Sequence, residues 1–112
     1  MPENRKPKIL IVDDEVEILK ILKKTLEDDY EIITASKAKD ALSKLDSVKV
    51  ILSDQRMPEM TGSEFLKKVR ETHPDIVRII MTGYSDMNAL IESVNQGEIF
   101  RYMSKPWDME TL

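Results

Sequence analysis

The chain has 112 residues, which fit one domain with a single hydrophobic core and leave little room for a second active module. It is 41% hydrophobic and 34% charged, holds one histidine and no cysteine, and carries a net charge of −4. This composition excludes disulfides and metal sites built from thiolates or several histidines, and it argues against direct binding of nucleic acid or a membrane surface. No apolar run approaches the roughly 18 residues of a membrane span, so a cytoplasmic protein is expected.

The first residues differ in character from the rest. Residues 1–7 are polar and basic, contain proline and lack the apolar stretch of a secretory signal, so they are predicted to form a flexible tail. The remainder, 8–112, is predicted to be one domain whose final helix is incomplete.

Strand-like and helix-like segments alternate along that domain. The strands are short runs of β-branched and other apolar residues, predicted at 8–12, 31–34, 48–53, 76–81 and 99–104. Between them, apolar residues recur with the 3.6-residue period of amphipathic helices, predicted from 15 to about 28, at 37–45, 63–73 and 85–96, and from 108 onward. Ser36 and Ser63 are predicted N-caps, while Pro74 and Gly97 end two of the helices. Five such units predict an α/β fold in which helices cover both faces of a parallel sheet.

Residues suited to phosphoryl chemistry follow the ends of four of the five predicted strands. Asp13 and Asp14 follow the first strand, Asp54 the third, Thr82 the fourth and Lys105 the fifth. The ligand crevice of an open α/β sheet lies outside the carboxyl ends of its strands, so this fold would bring these residues together.

The three carboxylates are the clearest indication of chemistry at this edge. Asp13, Asp14 and Asp54 would lie within a few ångströms of one another, where each close pair repels by a few kcal/mol at an effective dielectric of about 20. A cation is therefore expected among them, and hard oxygen ligands favour Mg²⁺. Taken alone, Asp13, Asp14 and Glu15 are equally compatible with a helix N-cap and an acidic first turn.

The ordered set of motifs resembles the receiver domain of two-component response regulators, and the likeness covers nearly all of the chain. Its members are the acidic pair, Asp54, and then Met57-Pro58, Gly62, Thr82-Gly83, Tyr102 and Lys105-Pro106. The resemblance implies a flavodoxin-like, doubly wound fold with a five-stranded parallel sheet in the order 2-1-3-4-5. The chain is most similar to the subset of receivers joined to cyclic-di-guanylate phosphodiesterase domains or to enhancer-binding activators.

By this resemblance, Asp54 is the nucleophile that accepts a phosphoryl group from a sensor histidine kinase or a phosphotransfer protein. Asp14 and Asp54 would ligate Mg²⁺ directly, Asp13 would do so through water, and Arg56 would contribute its backbone carbonyl. The domain would catalyse only its own phosphorylation and dephosphorylation, and it would control an attached output domain or a separate effector.

The resemblance also implies how the phosphoryl group is held and sensed. Thr82 and Lys105 would contact the phosphoryl oxygens, where negative charge develops. Phosphorylation would draw Thr82 inward and turn Tyr102 inward behind it, changing the surface formed by the fourth helix, fifth strand and final helix. Structural roles fall to the remaining motif residues, which are Pro58, Gly62, Gly83 and Pro106, the last with a cis peptide bond expected before it.

Some positions refine the expectation. Gly97 precedes Lys105 by eight residues where many receivers have seven, so a bulge or a longer start of the fifth strand is expected. Arg56 and Tyr84 are large and border the expected path of a hydrolytic water, which predicts slow loss of the phosphoryl group.

The incomplete final helix would expose an apolar edge that favours a homodimer. Kinase specificity is expected on the first helix, around Glu17, Lys20, Ile21 and Lys24.

Three other functions share some of these sequence features. A flavodoxin-like cofactor binder needs a loop of Ser, Thr and Gly after the first strand, where this chain has Asp13-Asp14-Glu15. A phosphatase of the haloacid dehalogenase type needs a second acid two residues after its nucleophile, where Arg56 stands. A pseudo-receiver that binds partners without being phosphorylated is the remaining alternative, and the complete set of site residues argues against it.

Overall fold

A computed structural model describes residues 6–81 and the backbone of strand residues 82 and 101–104. In chain order, the elements are β1 (Lys8–Val12), α1 (Val16–Leu26), β2 (Glu31–Ala35), α2 (Ala38–Leu42), β3 (Val48–Asp54), α3 (Gly62–Thr72), β4 (Val77–Thr82) and β5 (Arg101–Ser104). The predicted helices at 85–96 and from 108, the cap at Gly97 and the expected bulge before residue 101 lie outside the described residues.

The five strands form one sheet in the order β2-β1-β3-β4-β5, and every neighbouring pair is parallel. This confirms the predicted doubly wound, flavodoxin-like fold. The strand order reverses at β1, which lies between β2 and β3. In such sheets the reversal opens a crevice at the carboxyl ends of the two central strands, here β1 and β3.

Each face of the sheet packs against its own helices. On one face, β1, β3 and β4 contribute Leu10, Val12, Ile51 and Ile80 to a core with α2 and α3, in which Phe65, Leu66 and Val69 of α3 are fully buried. On the other face, the alternate strand residues pack with Leu19, Leu22 and Leu26 of α1. Successive side chains of a strand point to opposite faces of the sheet, and helices cover both faces. The strands are therefore nearly continuous apolar runs.

One charged residue, Arg78, is buried in β4. Its Nη1 donates hydrogen bonds to the backbone oxygens of Pro74, at 3.1 Å, and Ile76, at 2.9 Å. Burial, and secondarily the charge of Arg70, lowers the pKa of Arg78 from its ordinary value. These hydrogen bonds compensate part of the cost of placing a guanidinium at the base of the core.

The second helix is shorter than predicted, and its predicted cap is wrong. The N-cap is Lys37 instead of Ser36, and it makes no side-chain capping hydrogen bond. The helix closes after Leu42, where the Ser43 hydroxyl donates to the Asp40 carbonyl at 2.7 Å and so competes with helical continuation. Leu45, predicted within the helix, lies beyond its end but remains buried.

The predicted N-cap of α3, Ser63, is also wrong. Thr61 is the N-cap: its Oγ1 accepts from the Glu64 amide at 3.2 Å, and the Thr61 amide donates to Glu64 Oε1 at 3.1 Å. This reciprocal capping box satisfies two backbone donors at the start of the helix. The other end is as predicted, because the helix stops at Thr72 and His73 is its C-cap before Pro74.

The described part of the N-terminal segment meets the start of β2. Glu31 donates its amide hydrogen to the Pro7 carbonyl at 2.9 Å, and Lys6 Nζ donates to the Glu27 carbonyl at 3.1 Å. Across the ranges that the structure describes, no helix combines the length and the apolar character needed to cross a bilayer.

Candidate functional site

Three carboxylates meet at the carboxyl ends of β1 and β3. Val12 of β1 is paired with Ser53 of β3, so Asp13 and Asp54, the next residue of each segment, stand side by side. One carboxylate oxygen from each of Asp13, Asp14 and Asp54 lies within 4.8 Å of the others. Asp13 is fully buried and Asp54 is 6% exposed, whereas Asp14 is open to solvent. The structure thus brings together all three acids that the sequence singled out.

Local hydrogen bonds explain how Asp13 is held. Its amide donates to the Ala35 carbonyl at 3.2 Å, extending the pairing of β1 with β2, and its Oδ1 accepts from the Glu15 amide at 2.9 Å. The N-cap of α1 is Glu15, which makes no side-chain capping hydrogen bond. The interpretation of the acidic run as a helix N-cap is therefore wrong for Asp13 and Asp14, because neither occupies the N-cap position.

Gly62 provides the close packing beside Asp54. A β-carbon at this position would lie 2.2 Å from the Asp54 carbonyl oxygen and 2.8 Å from Ile80 Cδ1. Both distances are shorter than van der Waals contact, so only glycine lets α3 begin this close to the end of β3. The Gly62 amide also donates to the Gln55 carbonyl at 2.9 Å.

The charges of this cluster favour a cation. Two unit charges at 4.8 Å repel by about 3.5 kcal/mol at an effective dielectric of 20, and burial of Asp13 and Asp54 weakens screening by water. All the donors are carboxylate oxygens, the ligand type that Mg²⁺ prefers, and Asp14 is exposed to water. The donor set therefore fits Mg²⁺.

Two further predicted site residues lie on strands next to Asp54. Asp54 is paired with Met81, so Thr82, which ends β4, is one step further along the neighbouring strand. Thr82 is in turn paired with Ser104 at the end of β5, and Tyr102 is paired with Ile80. Gly83, Tyr84, Lys105 and Pro106 lie outside the described residues. Arg56 and Pro58 are exposed on the loop that follows β3.

The sequence interpretation missed two interactions around the β3–α3 loop. The side-chain amide of Gln55 contacts Ser63, with Oε1 accepting from the Ser63 amide at 2.8 Å and Nε2 donating to its Oγ at 3.2 Å. No spacing rule predicts this contact. The capping box between Thr61 and Glu64 was detectable, because a threonine followed by glutamate three residues later is its sequence signature. Hydrogen bonds from Thr61, first from its backbone and then from its side chain, lower the pKa of Glu64 below its usual value.

Comparison with known proteins agrees with this arrangement. The family model described as response regulator receiver domain matches residues 9–112. The chain belongs to this family. The receiver is therefore part of the response regulators of two-component systems, and a signalling role follows.

Two curated relatives indicate which response regulators this receiver resembles. The receiver is 46% identical over 101 residues to the hydrogenase transcriptional regulatory protein HoxA of Cupriavidus necator, covering 88% of this chain and 21% of that protein. It is 38% identical over 112 residues to the DNA-binding transcriptional regulator NtrC of Proteus hauseri, covering 96% of this chain and 24% of that protein.

A solved structure extends the comparison to a different kind of protein. The signal receiver domain of an HD domain-containing protein from Pseudomonas fluorescens Pf-5 is 36% identical, with a TM-score of 0.86 over 96% of this chain and 81% of that one. Together with HoxA and NtrC, it confirms the predicted subset. The chain spans about a fifth of the length of the curated relatives, at 21% and 24%.

Proposed function

We propose that this receiver accepts a phosphoryl group on Asp54. The observation that carries the proposal is the meeting of two buried carboxylates, Asp13 and Asp54, with the exposed Asp14 at adjacent strand ends. Burying such a cluster is costly unless a cation offsets its negative charge, and structural packing alone gives no reason to bury it. The folded unit that performs this role is proposed to be residues 8–112.

The cation proposed for this cluster is Mg²⁺. Asp14 and Asp54 would hold it directly, Asp13 through water, and Arg56 through its backbone carbonyl. When bound, Mg²⁺ offsets the carboxylate charge and the charge of the phosphoryl oxygens. Asp13 is buried, which fits a carboxylate that contributes its charge and its hydrogen bonds more than contact with solvent.

The proposed reaction is a phosphoryl transfer in which Asp54 is the nucleophile. A carboxylate oxygen of Asp54 forms the new bond to phosphorus while the bond between phosphorus and the donor nitrogen of a phosphohistidine breaks. The imidazole leaves with that electron pair. The product on Asp54 is a mixed anhydride, and Lys105 and Thr82 are proposed to contact its phosphoryl oxygens.

The proposed output is a change of surface. Thr82 lies on β4, next to the strand that carries Asp54, and Tyr102 lies on β5, the edge strand beyond it. We propose that the phosphoryl group draws Thr82 inward and that Tyr102 follows, which shifts the population between two packings of this side of the domain. Arg56 and Tyr84 are proposed to slow hydrolysis.

The proposed partners follow from this mechanism. The receiver is proposed to act in the cytoplasm, where a sensor histidine kinase or phosphotransfer protein would supply the phosphoryl group and an output domain or separate effector would respond. Kinase recognition is proposed for α1, where Glu17, Lys20, Ile21 and Lys24 are all exposed. We propose no direct contact with nucleic acid or membrane. A homodimer through the apolar edge expected at the final helix is also proposed.

The test is intact-mass measurement after incubation with Mg²⁺ and a small phosphodonor. Wild type should gain one phosphoryl mass only when Mg²⁺ is present, and Asp54→Ala should gain none. Asp28→Ala, which removes an exposed carboxylate outside the cluster, is the matched control and should behave as wild type. A folded wild type that gains no mass would contradict the proposal and favour a phosphorylation-independent interaction module.

A further inference from the structure

Gln55, the residue after Asp54, is hydrogen-bonded through all four of its polar groups, one to β4 and three to the start of α3. Its amide donates to the Met81 carbonyl at 3.1 Å, and its carbonyl accepts from the Gly62 amide at 2.9 Å. Its side-chain Oε1 accepts from the Ser63 amide at 2.8 Å, and Nε2 donates to Ser63 Oγ at 3.2 Å. The residue is thus tied to two elements at once.

These hydrogen bonds close the loop formed by residues 56–61. Gln55 stands before it, and Gly62 and Ser63, its partners, stand directly after it. Inside the loop, the Met60 amide donates to the Pro58 carbonyl at 2.8 Å, and Glu59 has a positive φ of 71°. A non-glycine residue in the left-handed region costs free energy, so the surrounding hydrogen bonds must hold the loop in this conformation.

The side chain of Gln55 also completes the start of α3. The first amides of a helix have no partner inside the helix. The capping box serves Glu64 and Thr61, and the Gln55 side chain serves Ser63 from outside the helix. Gln55, the residue next to Asp54, therefore stabilises both the start of α3 and the loop formed by residues 56–61.

We propose that Gln55 is a positioning residue for the metal site, acting through the backbone of Arg56. This inference rests on the proposed function. Arg56 directly follows Gln55, and a backbone carbonyl has no side-chain torsion with which to adjust, so its direction depends on the dihedrals that Gln55 restrains. A ligand held by supporting hydrogen bonds binds a metal more tightly than one that is free to move.

The first test compares wild type with Gln55→Met, which keeps side-chain length and removes both amide hydrogen bonds. Calorimetric titration with Mg²⁺ should show affinity falling on the order of tenfold, as for the loss of an outer partner of a ligand. Amide hydrogen exchange at Ser63 should become faster, because its acceptor is gone. Gln55→Glu keeps an acceptor for that amide and should keep its exchange slow.

Two controls separate positioning from general stability. Val69→Ala removes buried apolar contact from the same helix without touching Gln55, and its affinity for Mg²⁺ should equal that of wild type. Ser63→Ala removes the partner of Nε2, along with a 3.3 Å hydrogen bond between Ser63 Oγ and Thr61 Oγ1, but keeps the Ser63 amide bound to Oε1, and should weaken Mg²⁺ binding less than Gln55→Met does. The serine variant keeps the proposal testable if the methionine variant does not fold.

The outcomes are distinct. Faster exchange at Ser63 with unchanged Mg²⁺ affinity in Gln55→Met would overturn the inference, since the side chain would then support only the helix. An equal loss of affinity in Val69→Ala would overturn it as well. A folded wild type that binds no Mg²⁺ would overturn the proposed function itself. That outcome is measured on wild type alone, so it is distinguishable from a failure of the Gln55 inference.

Discussion

At the scale of single residues, Gly62 shows how tightly the site is built. The atom that a β-carbon would meet at 2.2 Å is the backbone oxygen of Asp54, which cannot rotate away as a side chain could. Relief would require a shift of β3 or of the first turn of α3. Either shift would move the end of the strand that carries the proposed nucleophile.

Gly62→Ala is therefore expected to destabilise the receiver by about 2 kcal/mol, within the range of overpacking. Helix propensity acts in the opposite direction, because alanine in a helix is favoured over glycine by up to about 1 kcal/mol. The sign of the change thus separates the two effects. Urea unfolding provides the measurement, and Lys67→Ala, on the exposed face of α3, should leave stability nearly unchanged. A Gly62→Ala protein as stable as wild type would show that the close contact is easily relieved.

The three acids of the site could be predicted from the sequence, whereas Gln55 could not. Asp13, Asp14 and Asp54 follow apolar strands, so strand ends place them at one edge of the sheet. Gln55 carries no such signal, because its partner Ser63 is eight residues away across a loop whose path is set by packing. The importance of Gln55 appears only once that loop is closed.

At the scale of elements, the start of α3 is determined by competition between two hydroxyl side chains. Thr61 and Ser63 are both acceptable N-caps by residue type. Thr61 is selected because Glu64 completes a capping box with it, while the Ser63 amide is bound by Gln55. In α2 likewise, Ser36 is of a residue type that favours the N-cap position but is not the N-cap.

Thr61→Ala is expected to lower the free energy of unfolding by about 1 kcal/mol, the usual cost of losing an N-cap. Ser36→Ala is the comparison, and its effect should stay within about 0.5 kcal/mol because Ser36 caps nothing. Both are measured by urea unfolding at neutral pH. The reverse order of effects would mean that the sequence-based cap assignment was correct after all.

The capping box also gives this element a defined dependence on acid. The pKa of Glu64 is lowered in the folded state, so its contribution is fully present above its unfolded value near 4.5 and is lost as pH falls through the lower folded value. Thr61→Ala keeps the backbone N–H that is the larger cause of the lowered pKa and removes only the hydroxyl, so the pH at which this contribution is lost should move part of the way back toward 4.5, as measured by urea unfolding across the acid range.

At the scale of the whole molecule, the carboxylate cluster links segments more than 40 residues apart in sequence. Asp13 and Asp54 are adjacent only because β1 and β3 pair in the centre of the sheet. Their mutual repulsion opposes folding, whereas a cation that binds only the folded cluster favours it. Stability of the entire domain is thus expected to depend on Mg²⁺.

Asp13→Asn should change that dependence in two ways. The amide keeps an acceptor for the Glu15 N–H and removes one charge, so the variant should be more stable than wild type without Mg²⁺, by about 1 kcal/mol or more. Mg²⁺ at about 100 times its Kd should stabilise wild type by about 2.7 kcal/mol and the variant by less. Thermal unfolding with and without Mg²⁺ measures both. Asp28→Asn should alter neither quantity, and equal Mg²⁺ effects in wild type and Asp13→Asn would contradict the expectation.

The sequence by itself determined the alternation of elements, the parallel sheet, the apolar faces of α1 and α3, and the placement of three acids at strand ends. These follow from periodicity and from the geometry of parallel sheets, which act through short stretches of chain. Tertiary structure alone decided the cap of α2, the contact of Gly62 with Asp54, and the attachment of Gln55 to Ser63. Those features depend on which groups from distant segments compete for the same hydrogen-bond partners and the same space, and no local pattern records that competition.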